Sequence, residues 1–480
     1  MGKPTREPRA TKIVATIGPR AEREGELVRL LSAGVDVFRF NGAHCLPGDI
    51  ARRVALVRAA EKVVGRPVGI LLDLGGPKIR VGPIEGDTTV WKDGDLVEIL
   101  PGQRRGGGKQ ISVTYPALLS EVKPGAEIRI ADGLIRLKVE SRGSSSLKAR
   151  VLAGGTVRKG AGVNLPSSVL SAPAVTAKDR RDLREGLEAG IQFVGLSFVR
   201  SVEHVKTLRR LIAEAPPERR PWIVSKIERI EAVRGLREIA AASDVLMVAR
   251  GDLGVEIGLA AVPGAQRAIL RVGHEKSVPV IVATQMLESM IEHPVPTRAE
   301  VSDVAGAVSD GADAVMLSGE TAVGAYAVEA VRTMDEIARV AEAERPMPLE
   351  PPHRVSDGKD HTPVVCDMAV VAARRAGAQA MVVYTASGRS ARLLSKELSR
   401  IPIVAITNSE EVRRRLTLLR NVVSYCIPAS SSVEEIIASG DAVLRAHGLA
   451  EATVVEVSGA AAIEGATNTV RIRTLKPARK

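Results

Sequence analysis

The sequence predicts an α/β protein: a (β/α)8 TIM barrel with an inserted all-β lid domain and a C-terminal open α/β domain. Three observations favour this fold class. Eight aliphatic runs alternate with amphipathic stretches, a long insertion interrupts this rhythm after the third run, and a proline-rich segment follows the eighth unit. Aromatic residues make up only 2% of the chain, so aliphatic cores like those of buried parallel strands are expected. An open doubly wound sheet is the alternative, but eight consecutive units favour a closed barrel.

The barrel strands are assigned to short runs of largely aliphatic residues, with amphipathic helices between them. The predicted strands cover residues 12–17, 35–41, 68–74, 192–198, 222–227, 244–249, 278–284 and 313–318. Helical patterns follow at residues 25–33, 179–189, 202–213 and 328–343. The catalytic barrel is therefore predicted to occupy residues 1–76 and 163–344.

The insertion at residues 77–162 has a different pattern, with short alternating segments separated by Gly and Pro. Its predicted strands lie at residues 96–100, 110–114, 127–130, 134–140 and 147–152. This pattern predicts a β-barrel lid inserted into a barrel loop, with Pro77 and Gly162 near its hinges.

A proline-rich segment at residues 345–352 is predicted to end the barrel. Beyond it, helical patterns alternate with predicted strands at residues 380–385, 403–407, 422–427, 453–457 and 469–473. Residues 353–480 are therefore predicted to form a smaller open α/β domain.

The chain carries 68 Lys and Arg against 56 Asp and Glu, a formal net charge of +12. No aromatic residues are interleaved with the basic ones, so a nucleic-acid partner is not expected. The charge fits either an ordinary solvated surface or a field that attracts phosphorylated substrates, and charge alone does not choose between them.

The three cysteines, Cys45, Cys366 and Cys426, have no paired spacing, which argues against a disulfide framework or a zinc site. No apolar run reaches the ~20 residues needed to cross a membrane. Residues 1–11 are polar and lack the hydrophobic segment of a secretory signal. We therefore expect a cytoplasmic protein with no membrane partner.

Polar residues recur at the carboxyl ends of the predicted barrel strands, where (β/α)8 barrels build their active sites. Any one of them could be an ordinary strand-end residue, but seven of the eight predicted strands end this way. The set suits a hard cation, a phosphate and a developing negative charge. It comprises Arg39, Asn41, Asp73, Ser197, Lys226, Glu228, Arg250, Asp252, Thr284, Ser318 and Glu320.

Two carboxylates on adjacent predicted strands, Glu228 and Asp252, are candidate Mg²⁺ ligands. Lys226 lies two residues before Glu228, so both side chains point to the same face of an extended segment. Such a lysine could stabilise an oxyanion or form a Schiff base, and the residues alone leave both open. Gly251 stands where strand passes to helix and would let backbone N–H groups approach an anion.

No Walker A motif is present, because the segment 106–109 (Gly-Gly-Gly-Lys) is followed by Gln110 rather than Ser or Thr. A nucleotide would therefore be bound in another way. The seven histidines show no metal-ligand spacing, and none is assigned to a metal.

Several strings in the chain resemble the pyruvate kinase family, and the resemblance covers almost the whole chain. The strings lie at residues 11–19, 223–228, 247–256, 283–290, 296–304 and 310–321. The resemblance implies a homotetrameric glycolytic kinase that moves a phosphoryl group from phosphoenolpyruvate to ADP, giving pyruvate and ATP. It also implies dependence on Mg²⁺ or Mn²⁺.

The resemblance implies roles for individual residues. Glu228 and Asp252 would hold the metal, Lys226 would stabilise the transferring phosphoryl group and the enolate, and Arg39 would bind the phosphate. The N–H groups near Gly251 and Asp252, with the Thr284 hydroxyl, would bind the carboxylate. The nucleotide side would comprise Asn41, His44, Arg80, Lys178 and the lid residue Asp132, while Ser318 and Glu320 would join the relay that protonates the enolate.

The chain departs from family members that use K⁺, which supply a serine and a threonine oxygen where this chain has Ala43 and Leu74. Lys78 replaces the glutamate of those members. Our hypothesis is that the Lys78 ammonium replaces K⁺, as in the K⁺-independent branch that this exchange resembles. The alternative is that Lys78 is a solvated hinge residue.

The loop after the first strand of the C-terminal domain carries hydroxyls, a glycine and an arginine at a predicted helix start: Thr385, Ser387, Gly388, Arg389 and Ser390. Such a loop suits a phosphate. In relatives it resembles the site of phosphorylated effectors, and a simple helix cap is the alternative of about equal weight.

Two other functions compete with the kinase. One is an Mg²⁺-dependent barrel lyase that acts on pyruvate or phosphoenolpyruvate, although it would need neither lid nor C-terminal domain. The other is a catalytically silent regulatory homologue, although Lys226, Glu228, Asp252 and Thr284 are all present.

Overall fold

The computed structural model describes residues 9–166, 168–344, 360–430, 432–459 and 467–475. The proline-rich segment at residues 345–352 and the predicted domain limits at residues 1, 353 and 480 lie outside the described residues.

The strands fall into four sheets. The first half of the barrel comprises β1 (Lys12–Ile17), β2 (Val37–Asn41) and β3 (Gly69–Asp73). The lid contains β4 (Thr88–Trp91), β5 (Leu96–Pro101), β6 (Gln110–Val113), β7 (Glu127–Ile130), β8 (Ile135–Arg142), β9 (Leu147–Ala153), β10 (Gly155–Arg158) and β11 (Val163–Asn164). The barrel resumes with β12 (Phe193–Leu196), β13 (Trp222–Ile227), β14 (Val245–Ala249), β15 (Val280–Ala283) and β16 (Ala314–Leu317). The C-terminal sheet contains β17 (Ala380–Tyr384), β18 (Ile403–Thr407), β19 (Val422–Cys426), β20 (Thr453–Gly459) and β21 (Thr467–Thr474).

The helices alternate with the barrel strands and flank the C-terminal sheet. Up to the end of β13 they are α1 (Glu26–Ala33), α2 (Asp49–Val64), α3 (Leu118–Glu121), α4 (Ala177–Ala189) and α5 (Val202–Ile212). From there to the end of the barrel they are α6 (Ile230–Arg234), α7 (Leu236–Ala242), α8 (Arg250–Ile257), α9 (Val262–Glu275), α10 (Arg298–Ser309), α11 (Gly319–Ala322) and α12 (Ala327–Glu344). The C-terminal helices are α13 (Thr362–Arg375), α14 (Arg389–Ser395), α15 (Glu410–Arg415) and α16 (Val433–Ala446). Short 3₁₀ turns lie at Gly42–His44, Glu85–Asp87, Pro217–Arg219, Leu259–Ala261, Glu288–Ile291 and Leu416–Leu418.

The predicted closed barrel is confirmed. Its eight strands run parallel in the order β1-β16-β15-β14-β13-β12-β3-β2, and β2 pairs with β1 to close the sheet. Aliphatic side chains fill the interior, and a second aliphatic layer separates the strands from the surrounding helices. Because all eight strands are parallel, their carboxyl ends form one rim, and polar residues that follow different strands share one site.

Local sequence explains where helices near the rim begin. The Oγ1 atom of Thr176 accepts a hydrogen bond from the Asp179 N–H at 3.1 Å, and the Asp179 carboxylate accepts one from the Thr176 N–H at 2.8 Å. This reciprocal cap satisfies two N–H groups that a helix start leaves unpaired, and it begins α4 two residues before its predicted start.

The lid consists of a six-stranded sheet in the order β11-β7-β8-β9-β5-β6 and a two-stranded sheet of β10 and β4. The sequence analysis did not find β4, β10, β11 or the one-turn helix α3. Arg129 of β7 donates to the backbone oxygen of Val255 in α8, so the lid contacts the barrel next to its rim.

The C-terminal sheet has the order β19-β18-β17-β20-β21, parallel except for β21. This sheet and its helices adjoin the barrel end opposite the rim. Lys396, at the end of α14, and Asp313, before β16, form an ion pair at 2.7 Å with side chains that are 1% and 0% exposed. In the middle of α14, the Cζ of Arg392 lies 5.9 Å from the centre of the ring of Trp222, the first residue of β13.

Candidate active site

The centre of the rim holds a cluster of two cations and two carboxylates. The Lys226 Nζ lies 2.8 Å from Glu228 Oε1 and 3.3 Å from Asp73 Oδ1, and it donates to Ser197 Oγ at 2.8 Å. Arg39 donates through Nε and Nη2 to Asp73 Oδ2 at 2.9 and 2.7 Å. Asp73 therefore bridges the arginine of β2 and the lysine of β13.

Gly195 makes room for this bridge. A Cβ atom at this position of β12 would lie 2.7 Å from Asp73 Oδ1, which is too close for any side chain. The glycine thus allows the Asp73 carboxylate to lie across the rim. Burial raises the pKa of Asp73, but Lys226 and Arg39 outweigh this effect and hold it below its usual range.

The charge state of Lys226 follows from its neighbours. Burial lowers its pKa, but the Asp73 and Glu228 carboxylates together outweigh burial and raise the pKa above its ordinary value. The amine therefore stays protonated at neutral pH, which suits the stabilisation of an anion and disfavours its use as a nucleophile.

Glu228 shows the opposite effect. Its pKa is raised, first by burial and then by the nearby Asp252 carboxylate, against the lowering effect of Lys226. Its Oε2 accepts the N–H of Phe198 at 2.7 Å, which fixes the orientation of the carboxylate. Two neighbouring carboxylates that disfavour each other's charge are a suitable site for a cation.

A strained turn follows β15 beside the first turn of α8. Thr284 has a φ of 70° and Gln285 a φ of 52°, a conformation that is rare for a β-branched residue such as threonine. Thr284 Oγ1 accepts the Gly251 N–H at 2.9 Å. Arg250 stabilises the turn by donating a hydrogen bond to the backbone oxygen of Thr284 at 2.6 Å. The predicted pair of Gly251 and Thr284 is thus in direct contact.

Glu320 and Ser318 lie after β16. The Glu320 carboxylate is fully buried, and its oxygens accept the Leu287 N–H at 3.0 Å and the Ser318 N–H at 2.7 Å. Glu320 thus links the two rim loops that contain Leu287 and Ser318. The Ser318 Oγ is shielded from solvent and has no hydrogen-bond partner within the described part of the chain.

The residues expected on the nucleotide side are not all in one place. Lys178 donates to the backbone oxygen of Gly42 and to Asp182, each at 2.5 Å, so it lies against the turn that follows Asn41. His44 is exposed on the same turn. Arg80 lies in the lid hinge, where its Nη1 donates to Gly160 O at 3.0 Å.

Asp132 lies apart from that group, at the exposed tip between β7 and β8. A Cβ at the next residue, Gly133, would lie 3.8 Å from Val255 of α8. Across the residues that the structure describes, no hydrogen bond or ion pair joins Asp132 to Asn41, His44 or Lys178. The structure thus places Asp132 beside α8 rather than beside the turn at Gly42–His44.

The Lys78 side chain extends from the lid hinge toward Asp252. Its Nζ lies 3.6 Å from Asp252 Oδ1, and the two side chains are 31% and 22% exposed. Gly162 leaves space for the lysine, because a Cβ there would lie 3.3 Å from Lys78 Cε. The lysine therefore contacts a candidate metal ligand, and no ion pair to Asp73 is formed within the described ranges.

Sequence reasoning missed a buried ion pair behind the two candidate metal ligands. Arg229 Nη1 lies 2.8 Å from Glu256 Oε1, with side chains 5% and 0% exposed. Burial raises the pKa of Glu256 to about 7, against the lowering effect of Arg229. The available signal was positional: Arg229 follows Glu228 directly, and Glu256 stands four residues after Asp252 on one helix face.

The candidate effector loop lies between β17 and α14. Thr385 Oγ1 accepts the Gly388 N–H at 3.0 Å, and Arg389 forms an ion pair with Asp360. Ser390 is buried and contacts Thr467 Oγ1 at 2.7 Å, so its hydroxyl faces the domain interior. Ser387 is half-buried in the loop itself.

Within the described residues, no group of three or more His, Cys, Asp or Glu side chains could hold a metal ion. Mg²⁺ commonly takes only one or two protein carboxylates, with substrate oxygens and water completing its shell. The same residues contain no single helix that is long and apolar enough to span a membrane, although the pair Arg250–Ile257 and Leu259–Glu275, bent by 115°, passes by length and composition.

Two family models match the chain. The model described as pyruvate kinase, barrel domain, matches residues 8–331, and the model described as pyruvate kinase, alpha/beta domain, matches residues 364–473.

Similar full-length proteins carry the same name. The pyruvate kinase of Corynebacterium glutamicum is 39% identical over 97% of this chain and 98% of its own length. That of Geobacillus stearothermophilus is 39% identical over 97% of this chain and 80% of its own length. The solved structure of a pyruvate kinase from Cryptosporidium parvum superposes with a TM-score of 0.91, at 33% identity, over 97% of this chain and 96% of that one.

Proposed function

The chain belongs to the pyruvate kinase family, and we propose that the residues at its barrel rim transfer the phosphoryl group of phosphoenolpyruvate to ADP. The resemblance seen in the sequence is confirmed by the family models and the relatives, and the chain is an enzyme of the kinase class. The observation that carries the assignment of roles is the cluster of Lys226, Glu228 and Asp73, with Lys226 Nζ 2.8 Å from Glu228 Oε1.

Glu228 and Asp252 fit the divalent cation that the family requires. Both are hard oxygen ligands that follow adjacent strands, and the Asp252 carboxylate raises the pKa of Glu228, an effect that a cation between them would reverse. We propose Mg²⁺ or Mn²⁺ as this cation. When bound, it would neutralise charge on the phosphoryl group and on the enolate oxygen.

The side chains around this site orient and neutralise the substrate. Lys226 remains charged and lies 2.8 Å from Glu228 at the candidate metal site, so it can stabilise the phosphoryl group and the developing enolate. Asp73 holds Arg39 through Nε and Nη2, and the remaining N–H groups of the oriented guanidinium would bind the phosphate. The N–H groups at the start of α8 and the Thr284 hydroxyl would bind the substrate carboxylate, which would replace the 2.9 Å hydrogen bond from the Gly251 N–H to Thr284 Oγ1.

The enolate must then receive a proton on carbon. We propose that Ser318 supplies the hydroxyl next to this position, because its Oγ is shielded from bulk water and has no hydrogen-bond partner among the described side chains and backbone. Glu320 serves this step by holding the Ser318 backbone at 2.7 Å and the adjacent loop at Leu287.

The nucleotide is proposed to bind between the barrel rim and the lid. Asn41, His44 and Lys178 supply polar groups around the turn at Gly42–His44, and Arg80 supplies a cation from the hinge. Asp132 is proposed to reach the nucleotide when the lid moves, since it lies on the exposed lid tip. Lid closure would also keep water from the phosphoryl group.

We propose that K⁺ is not required, because Lys78 supplies a fixed monovalent charge. The contact with Asp252 at 3.6 Å supports a position of the ammonium beside the metal-binding edge of the site. The absence of hydroxyls at Ala43 and Leu74 is consistent with the loss of a K⁺ site. A cation occupying Asp252 would free the lysine to face the phosphate.

Three further features are proposals. A phosphorylated effector is proposed to bind the loop at Thr385, Ser387, Gly388 and Arg389, whereas the inward contact of Ser390 leaves that hydroxyl no free role. A homotetramer follows from the family resemblance. A cytoplasmic location is also proposed, since the spacing of the three cysteines does not suggest a disulfide framework.

A coupled assay tests the function. The full chain is mixed with phosphoenolpyruvate, ADP and Mg²⁺, and pyruvate release is followed with and without ADP. ADP-dependent release supports the kinase, ADP-independent release would indicate the lyase, and no release at saturating substrates would indicate the silent homologue. The comparisons support neither of the two alternatives.

A further inference from the structure

The buried ion pair of Arg229 and Glu256 lies next to both candidate metal ligands without being one of them. Its atoms Nη1 and Oε1 are 2.8 Å apart, and the side chains are 5% and 0% exposed. Arg229 Nη2 also lies 3.5 Å from Glu231 Oε1 and 3.5 Å from Ser168 O. The two Nη atoms of the buried guanidinium thus contact acceptors, whereas Nε has no hydrogen-bond partner among the described residues.

The two partners belong to the two segments that deliver the metal carboxylates. Arg229 follows Glu228 directly at the end of β13. Glu256 stands one turn of α8 after Asp252, at a rise of about 6 Å along the helix axis, so both project from one helix face. An ion pair between residues 229 and 256 therefore fixes how α8 lies against the end of β13.

This packing has to oppose a repulsion. Glu228 and Asp252 follow the adjacent strands β13 and β14, and the repulsion between their carboxylates, which Lys226 and Lys78 partly offset, tends to separate the two segments. The ion pair between Arg229 and Glu256 draws the same two segments together, one turn of α8 beyond Asp252. A buried ion pair costs desolvation, so it need not stabilise the fold, and in some proteins it instead defines a geometry.

The lid reaches the same helix. Arg129 of β7 donates to Val255 O, the residue before Glu256. Asn164 of β11 is buried and lies close enough to the Glu256 carboxylate to lower its pKa. The last turn of α8 is therefore held from the barrel by Arg229 and from the lid by two strands.

Resting on the proposed function, we infer that the Arg229–Glu256 ion pair sets the separation of Glu228 and Asp252 and thereby the affinity of the site for its divalent cation. Arg229 and Glu256 are positioning residues, since neither touches the cation. A purely structural pair would affect stability and leave the metal affinity of the folded protein unchanged.

The test is calorimetric titration of the full chain with Mn²⁺ alone, together with thermal unfolding. Arg229→Met removes the cation, Glu256→Gln keeps the shape of the acid but not its charge, and Arg229→Lys keeps a charge of shorter reach. The control Arg237→Gln breaks the Arg237–Glu275 pair, which has a similar length of 2.6 Å but side chains 60% and 36% exposed.

We expect Arg229→Met and Glu256→Gln to weaken Mn²⁺ binding by ~10-fold or more. Arg229→Lys should recover part of the affinity, and Arg237→Gln should bind like the parent. In steady-state assays, the concentration of Mn²⁺ for half-maximal rate should rise more than kcat at saturating Mn²⁺ falls. Parental Mn²⁺ affinity in folded Arg229→Met or Glu256→Gln would overturn the inference, whatever their melting temperatures.

Removal of one partner leaves a buried charge, so Arg229→Met alone could fail to fold. The double variant Arg229→Met/Glu256→Leu leaves no unpaired charge and decides the question in that case. Weakened Mn²⁺ binding by this variant supports the inference, and parental binding overturns it. A parent that binds no Mn²⁺ would overturn the proposed metal site and this inference with it, whereas a normal parent with normal variants overturns the inference alone.

Discussion

Lys226 and Glu228 stand two positions apart at the end of β13, and their ammonium and carboxylate are 2.8 Å from each other. The same carboxylate is a candidate metal ligand, and the same amine faces Asp73 at 3.3 Å. One short stretch of strand thus supplies both a charged donor and a metal ligand at the point where negative charge develops in phosphoryl transfer.

Replacing Lys226 by Gln should lower kcat by ~10²–10³-fold, the loss typical for removal of one donor to a developing oxyanion. The measurement is the coupled assay at saturating substrates. Lys206→Gln is the control, since Lys206 is exposed and pairs with Glu203 on α5. Full activity in Lys226→Gln would contradict its role.

The parent enzyme should turn over with Na⁺ or Tris as the only monovalent cation, because Lys78 supplies the fixed charge. Lys78→Glu should lower activity, and added K⁺ should restore it only in part, since Ala43 and Leu74 supply no side-chain oxygen. The rate is measured against K⁺ concentration for both proteins. The control is Lys159→Glu, an exposed lid lysine paired with Asp87. A strict K⁺ requirement in the parent would refute the idea.

Acid should destabilise the amino end of the barrel, because it protonates the Asp36 carboxylate. Burial raises the pKa of this carboxyl, but Arg9, Lys12 and Arg66 outweigh burial and lower the pKa from 3.8 to about 2. A depressed carboxyl pKa stabilises the fold above the unfolded value, and this stability is lost as pH falls from about 4 to 2, at a cost of about 2 kcal/mol.

Urea unfolding between pH 7 and pH 2.5 would measure this loss. Asp36→Asn should be less stable at pH 7 and should show a flatter decline with acid than the parent, because it has already lost the carboxylate that attracts Arg9, Lys12 and Arg66. Glu214→Gln, at an exposed position, is the control. Parallel declines in Asp36→Asn and the parent would show that Asp36 does not contribute.

Trp222 should report binding at the candidate effector loop. A Cβ at Gly388 would lie 3.6 Å from Trp222 Cζ2, so a change in the loop alters the surroundings of one of only two tryptophans. In a Trp91→Phe background, a panel of sugar phosphates and nucleotides should include one that shifts the emission, and Arg389→Gln should abolish that shift. If no compound changes emission, stability or kinetics, the loop is only a helix cap.

Much of the fold followed from local pattern. The runs at residues 12–17 and 222–227 coincide with β1 and β13, because buried parallel strands are continuous aliphatic segments. The strands β4 and β10 were missed, since each is only four residues long and half exposed. Six of the eight barrel strands were predicted one or two residues too long at one or both ends, whereas β20 and β21 were predicted too short.

The candidate site could be predicted where sequence spacing alone brings residues together. Lys226 and Glu228 share a strand end, and closure of the barrel brings Arg39 and Asp73 to the same rim. The Arg229–Glu256 pair depends on how α8 packs against β13, which no local pattern encodes. The positive φ of Thr284 could not be predicted from sequence either, because threonine disfavours that conformation and only tertiary contacts stabilise it.

The central claim is that Glu228 and Asp252 together hold a divalent cation beside Lys226, and electron paramagnetic resonance of Mn²⁺ tests it most directly. Titration of the parent, Glu228→Gln and Asp252→Asn, each shown to be folded, counts the ions bound at the site. We predict one tightly bound Mn²⁺ in the parent and loss of that ion in both variants, with loss of phosphoryl transfer. Unchanged Mn²⁺ binding in either variant would contradict the account.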